Sequence, residues 1–120
     1  MVDRAPRPLR PGAVWWADLP DARGSGPGFP RPVVVVSADV FNTSQIQTVT
    51  VVILTSNLRL ADAPGNVRIR TKESGLPRES VANVSQVLTI DKTMLTEPAG
   101  QLRSATLTEL ADGLRLALDL

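Results

Sequence analysis

The most informative stretch of this 120-residue chain is Pro32-Val33-Val34-Val35-Val36-Ser37, in which four valines follow one another without a polar interruption. β-Branched side chains fit a pleated strand well. A strand with one buried face would alternate apolar and polar residues. The run therefore predicts a strand buried on both faces, as inside a small barrel or under a helix.

Further strands are predicted on both sides of this run. Residues 13–19 (Ala-Val-Trp-Trp-Ala-Asp-Leu) precede it, and residues 48–55 (Thr-Val-Thr-Val-Val-Ile-Leu-Thr) follow it after a polar loop at 39–47. Residues 66–70 alternate apolar and polar side chains, and residues 80–90 can form a longer strand with a bend. The pattern predicts about five short strands.

Only the end of the chain has the periodicity of a helix. One helical stripe is formed by Leu107, Leu110, Ala111, Leu114, Ala117 and Leu118. Thr106 with Glu109 three residues later fits a capping box. The predicted fold is mainly β with a C-terminal helix, a small β-barrel over residues 12–120 that follows a flexible N-terminal extension over residues 1–11.

Composition narrows the possible chemistry. The chain has no cysteine, which excludes disulfides and thiolate catalysis. It also has no histidine, the residue that most often acts as a general acid or base and as a metal ligand. The sequence holds no acidic metal cluster, no Gly-x-Ser-x-Gly elbow and no P-loop. No apolar run approaches the roughly 18 residues of a membrane span, so a cytoplasmic protein is predicted.

Basic residues are unevenly spread although the net charge is only +1. Residues 59–78 hold five basic and two acidic residues, whereas residues 79–120 hold three basic and six acidic ones. Eleven of the thirteen basic residues are arginine, which binds phosphate through two parallel hydrogen bonds. This distribution is compatible with an anion-binding face and equally with ordinary solvated surface.

Two positions at strand ends are candidates for a site. Arg31 lies between two prolines, where a Gly- and Pro-rich loop at 21–30 leads into the valine run. Because the prolines restrict the backbone on both sides, the Arg31 guanidinium can be held in one direction. Thr55 ends the strand at 48–55 beside a polar loop. Of the consecutive Trp15 and Trp16, one faces inward and the other outward, where its ring could stack a base, cover the core or lie in a subunit interface.

Several segments, taken in order, carry a family resemblance. They are residues 11–19, Gly24-Ser25 with 31–37 (Arg-Pro-Val-Val-Val-Val-Ser), 39–42 (Asp-Val-Phe-Asn), 48–51 with 54–57 (Leu-Thr-Ser-Asn), 75–83 (Gly-Leu-Pro-Arg-Glu-Ser-Val-Ala-Asn) and 86–92 (Gln-Val-Leu-Thr-Ile-Asp-Lys). No piece is diagnostic alone, but the ordered set over residues 11–118 resembles the MazF/PemK toxin family.

The resemblance implies an SH3-like barrel and a sequence-specific, metal-independent endoribonuclease that cleaves single-stranded RNA, specifically mRNA. It further implies a homodimer, a cognate MazE-like antitoxin and no cofactor. The family's catalytic pair corresponds to Arg31 and Thr55. The substrate-binding residues that it implies are Gly24, Ser25, Phe29, Asn42, Ser56, Asn57, Ser80, Ser85 and Gln86. One departure is Gly26-Pro27, where many members carry a polar pair.

The implied reaction needs no protein nucleophile, because the ribose 2′-OH attacks the adjacent phosphate and leaves a 2′,3′-cyclic phosphate and a 5′-OH. Arg31 and Thr55 would stabilise the phosphorane, but a guanidinium is a poor proton acceptor near neutral pH. Two other functional hypotheses stay open. One is a non-enzymatic toxin of the same fold that inhibits DNA gyrase, and the other is a catalytically inactive RNA-binding barrel.

Overall fold

The computed structural model describes residues 9–19 and 29–120, with only the backbone of Phe29. The loop residues Gly24, Ser25, Gly26 and Pro27 and residues 1–8 of the predicted extension lie outside this part. Pro11 and Gly12 are hydrogen-bonded to the domain, since the Gln101 side chain donates to Pro11 O (3.1 Å) and Gly12 N donates to Val35 O (2.7 Å).

The described elements are six strands, three helices and two 3₁₀ turns. They follow in the order β1 (Ala13–Leu19), β2 (Phe29–Val35), α1 (Asp39–Asn42), β3 (Thr48–Thr55), a 3₁₀ turn (Leu58–Asp62), β4 (Val67–Ile69), α2 (Thr71–Ser74), β5 (Ser80–Asp91), a 3₁₀ turn (Lys92–Met94), β6 (Leu95–Gln101) and α3 (Ser104–Leu118). No described helix has the length and apolarity that crossing a membrane requires.

All six strands form one antiparallel sheet in the order β4-β5-β3-β2-β1-β6. The predicted valine strand lies in the middle of it, and Val33, Val34 and Val35 are completely buried. Even-numbered Val14, Val34 and Val52 belong to one apolar cluster, and odd-numbered Val33 and Val35 belong to a second. Both faces of the central strands are thus covered, as the unbroken apolar run predicted.

The two edges of the sheet approach each other through α2, which gives the sheet its half-barrel form. The turn after α2 contacts β6 so closely that a side chain at Gly75 would meet the Ala99 carbonyl, and one at Gly100 would meet the Glu73 carbonyl. Gly75 also has a φ of +71°, a backbone conformation that favours glycine. The predicted small barrel with a C-terminal helix is confirmed.

Strand β6 was not predicted from the sequence. It contains Pro98 and Gly100, two residues that are rare in strands. Because β6 is an edge strand, Pro98 can pair with Trp15 without interrupting a second ladder. The predicted bend in β5 is confirmed, since the register with β3 shifts between Val52 and Leu54.

The predicted capping box at Thr106 and Glu109 is wrong. Helix α3 begins at Ser104, so Thr106 lies inside the first turn and not at the N-cap. The N-cap residue is Arg103, and its side chain makes no capping hydrogen bond. Glu73 of α2 does so instead: Arg103 N donates to its Oε1 (2.9 Å), and Thr106 Oγ donates to its Oε2 (2.9 Å). A carboxylate at a helix N-terminus is stabilised by the unpaired N–H groups there.

Glu73 is only 7% exposed, and its ionisation is coupled to this capping role. Burial by itself would raise the pKa of the carboxyl. The hydrogen bonds from Arg103 N–H and Thr106 and the nearby Arg103 guanidinium, 3.5 Å from Oε2, outweigh burial, so the pKa lies below its ordinary value. A lowered pKa means that the ionised form stabilises the fold above the unfolded-state pKa of about 4.3.

We expect Glu73→Gln to lower the free energy of unfolding at pH 7 by about 1–3 kcal/mol, because it weakens charge-assisted hydrogen bonds inside the protein. The difference from wild type should shrink as the pH falls through the lowered pKa of Glu73, where the wild-type carboxylate is protonated too. Urea unfolding at neutral and acid pH measures both effects. Glu109→Gln, an exposed position on α3, is the matched control and should show neither.

Candidate functional site

A cleft of about 480 Å³ opens where β2 begins, β3 ends and β5 begins. Its described lining is formed by Trp16, Arg31, Pro32, Leu54, Thr55, Ser56, Leu76, Pro77, Arg78, Glu79 and Ser80. The lining combines an apolar floor, two guanidinium groups, a carboxylate and hydroxyls. Such a mixture suits a ligand that carries both negative charge and a flat ring.

Strand pairing brings Arg31 and Thr55 to the same region of the sheet. The pairing of β2 with β3 ends at Val33 and Ile53, and Arg31 and Thr55 lie two residues beyond that last pair on their own strands. Both residues line the cleft. Both residues are half-buried, so each keeps part of its side chain accessible.

The other strand pairs give each residue its neighbours across the sheet. Arg31 is paired with Ala17 on β1, Thr55 is paired with Val81 on β5, and Val81 is paired with Arg68 on β4. Arg68 lines a neighbouring pocket, which it shares with Arg70 and Glu79.

The Thr55 hydroxyl is oriented by the turn that follows β3. Its oxygen accepts a hydrogen bond from Asn57 N (3.1 Å), and the Asn57 side chain in turn accepts from Arg59 N (3.2 Å) at the start of the 3₁₀ turn. Because the hydroxyl oxygen is engaged as an acceptor, its O–H proton is the group available for donation. Thr55 is therefore suited to donate to an anionic oxygen in the cleft.

Ser80 contributes a second hydroxyl at the first position of β5. It is 3% exposed, lines the cleft, and its Oγ has no hydrogen-bond partner within the described residues. A buried hydroxyl without a partner is uncommon, because losing water without replacement costs free energy. Ser80 is thus a ready hydrogen-bonding group for a ligand in the cleft.

The structure brings together some of the predicted site residues. Arg31, Thr55, Ser56 and Ser80 line the same cleft. Asn57 lies beside it, with its side chain in the turn contact described above. The predicted Gly24 and Ser25 and the side chain of Phe29 lie outside the described residues; the Phe29 backbone pairs with Leu19.

Three predicted residues lie elsewhere. Asn42 is 6% exposed and hydrogen-bonds Ser37 through both ends of its amide (2.6 Å each), which secures α1 against the end of β2. Ser85 and Gln86 are exposed in the bend of β5, where both bind the Asn83 side chain (2.9 and 3.0 Å). Their hydrogen bonds within this group support the bend.

Sequence reasoning missed Arg78 and Glu79 and left the choice between the two tryptophans open. Trp16 lines the cleft, whereas Trp15 packs against the apolar cluster on the opposite face. Arg78 and Glu79 directly precede β5. They line the cleft because the start of β5 lies beside the start of β2 and the end of β3. That position, just before a predicted strand, is the signal by which they could have been found.

Comparisons with known proteins agree on one family. Residues 10–118 match the family described as "PemK-like, MazF-like toxin of type II toxin-antitoxin system". The chain is 42% identical over 107 residues to endoribonuclease MazF6 of Mycobacterium tuberculosis, covering 89% of this chain and 94% of the relative. It is 33% identical over 112 residues to endoribonuclease EndoA of Bacillus subtilis, covering 93% and 96%.

A solved structure supports the same grouping. The chain superposes with a TM-score of 0.74 and 28% identity on an endoribonuclease in complex with its cognate antitoxin from a mycobacterial species. The match covers 95% of this chain and 97% of the other. The likeness therefore extends over the whole described domain.

Proposed function

The chain belongs to the PemK-like, MazF-like toxin family of type II toxin–antitoxin systems, and we propose that it is a sequence-specific, metal-independent endoribonuclease that cleaves single-stranded mRNA. The relatives named endoribonuclease support the reaction class. The observation that carries the proposal is that Arg31 and Thr55, from two neighbouring strands, line one cleft.

The proposed chemistry uses the substrate's own ribose. The 2′-OH attacks the adjacent phosphorus, the bond to the 5′-oxygen breaks, and the products are a 2′,3′-cyclic phosphate and a 5′-OH. Arg31 holds the non-bridging oxygens through two parallel hydrogen bonds, and the Thr55 hydroxyl donates a further one. These contacts stabilise the extra negative charge of the pentacovalent transition state.

The remaining lining supports a single-stranded substrate. Bases of a single strand are unstacked and can pack on an aromatic ring, as they cannot inside a duplex. Trp16 offers such a ring beside Arg31, and Arg78 offers a second guanidinium for the backbone. We propose that residues 21–30 and 56–65, which adjoin Arg31 and Thr55 along the chain, determine sequence choice.

The proposed partners are a cognate MazE-like antitoxin and a second copy of this chain. An antitoxin segment that is acidic and folds on binding would complement the arginines at the cleft. Antitoxin and RNA would then compete for Arg31 and Arg78, which provides inhibition. Since mRNA is the proposed substrate, the proposed place of action is the cytoplasm.

One experiment tests this function against the two alternatives. Purified protein is incubated with a long single-stranded RNA in EDTA, and the new 5′ ends are mapped and tested for a free hydroxyl. Recurrent cuts with 5′-OH and cyclic-phosphate ends support the proposal. Binding without cuts indicates an inactive RNA-binding barrel, and inhibited DNA supercoiling in a parallel gyrase assay indicates a gyrase toxin. Either of these results contradicts the proposed function.

A further inference from the structure

A proton acceptor is the component that Arg31 and Thr55 do not supply. The 2′-OH must lose its proton as it attacks, and a guanidinium stays protonated at neutral pH. The chain contains no histidine or cysteine that could take that proton. Carboxylates are the remaining side chains that accept protons readily, and Glu79 is the carboxylate that lines the cleft within the described residues.

Strand pairing places Glu79 close to the end of β3. Val81 of β5 is paired with Thr55, the last residue of β3. Glu79 lies two residues before Val81, directly before the first residue of β5. Glu79, Thr55 and Arg31 all line the cleft.

Arg68 anchors one oxygen of this carboxylate. Its Nε and its terminal nitrogen both bind Glu79 Oε1, at 2.9 and 2.7 Å. Because both contacts fall on Oε1, Oε2 has no contact with Arg68 and is the oxygen assigned to the substrate. Arg68 is paired with Val81 of β5, two residues after Glu79, so the pairing of β4 with β5 brings the two side chains near each other.

We propose that Glu79 is the general base of this site, with Arg68 as its positioning residue, an inference that rests on the proposed endoribonuclease function. Glu79 Oε2 takes the 2′-OH proton while the bond from O2′ to phosphorus forms. The bond from phosphorus to O5′ breaks, O5′ takes a proton from solvent water, and Glu79 returns its proton to solvent. Charge and protons balance without a metal or cofactor.

The first test is Glu79→Gln, which keeps shape and hydrogen bonding but cannot accept a proton at neutral pH. We expect single-turnover cleavage to slow by about a hundredfold to ten-thousandfold, the usual contribution of general acid–base catalysis. The affinity for a synthetic RNA with the mapped cut site blocked by a 2′-O-methyl group should change by less than about threefold. Glu109→Gln, outside the cleft on α3, is the matched control and should cleave normally.

A second substrate separates a base from an acid. Replacing the 5′-bridging oxygen at the cut with sulfur gives a leaving group that needs no proton. If Glu79 is the base, Glu79→Gln stays slower than wild type by the same factor on this substrate. If the factor collapses to near one, Glu79 protonates the leaving group and the proposal is overturned.

A folding defect in the variants can be distinguished from a loss of catalysis. Glu79 is partly exposed, and circular dichroism reports whether Glu79→Gln keeps the fold. Glu79→Asp serves as a second variant: it keeps the carboxylate but retracts it, so cleavage intermediate between wild type and Glu79→Gln is expected. A wild-type rate in Glu79→Gln overturns the inference alone, whereas wild-type protein that makes no 2′,3′-cyclic phosphate overturns the proposed function.

Discussion

Replacing Arg31 with alanine is expected to slow RNA cleavage by about a hundredfold to a thousandfold or more while the protein remains folded. The variant loses the guanidinium that, in the proposed reaction, stabilises charge on the phosphorane and binds more strongly as the transition state forms. Arg31 is half-buried at the end of a central strand, and its truncation leaves Val33 and Ala17 in place. Cleavage rates under single-turnover conditions measure the effect, and thermal unfolding checks the fold.

Two further variants make the result specific. Arg31→Lys keeps the charge but loses the planar fork, so it should recover only part of the lost rate. Arg115→Ala removes an exposed arginine near the C-terminal end of α3, where it pairs with Asp112. This variant should leave the cleavage rate unchanged. Wild-type cleavage by Arg31→Ala would contradict the assignment of this arginine, and equal losses in both alanine variants would indicate a nonspecific charge effect.

The fold was predictable because its strands carry a strong local signal. The strand Thr48–Thr55 and the strand Ala13–Leu19 were predicted to the residue, since each is an apolar run between turn residues. Strand Leu95–Gln101 carries no such signal, because Pro98 and Gly100 are tolerated only through its place at the sheet edge and against α2. Edge position is a tertiary property that the local sequence does not encode.

The start of α3 shows a second limit of local reasoning. The spacing of Thr106 and Glu109 satisfies the capping-box pattern, yet the group that caps the helix is Glu73, about thirty residues earlier. Close packing of Gly100 on the α2 backbone brings Glu73 to that position. A sequence pattern cannot identify a cap that comes from another element.

For the site, the predictions differ in what they depend on. Arg31 lies near the start of β2 and Thr55 ends β3, and these strands are neighbours in the sheet, so their meeting in one cleft follows from the order of the strands. Ser85 and Gln86 lie in a bend where four β5 residues, 83–86, stand opposite the single β3 residue Ile53, and that mismatch cannot be inferred from either strand alone. Arg68 belongs to β4 and its partner Glu79 directly precedes β5, and the pairing of β4 with β5 brings them together.

A single 2′-deoxynucleotide immediately 5′ of the cut should abolish cleavage there and leave binding within about threefold of the all-RNA substrate. The substitution removes the attacking oxygen, and with it the only nucleophile in the proposed reaction. The phosphate that Arg31 and Thr55 would hold is unchanged, and so are the bases. Cleavage and affinity are measured on the same synthetic oligonucleotides.

The matched control carries the deoxynucleotide one position further from the cut, where cleavage should proceed at close to the normal rate.

Attack by a nucleophile other than the ribose would give the opposite result. If the Thr55 hydroxyl attacked the phosphorus, the deoxy substrate would still be cut and a covalent adduct at Thr55 would form during turnover. Attack by water would also cut the deoxy substrate, leaving an open 3′-phosphate or 5′-phosphate end. Either product would contradict a reaction driven by the ribose, because only the 2′-oxygen can close the cyclic phosphate.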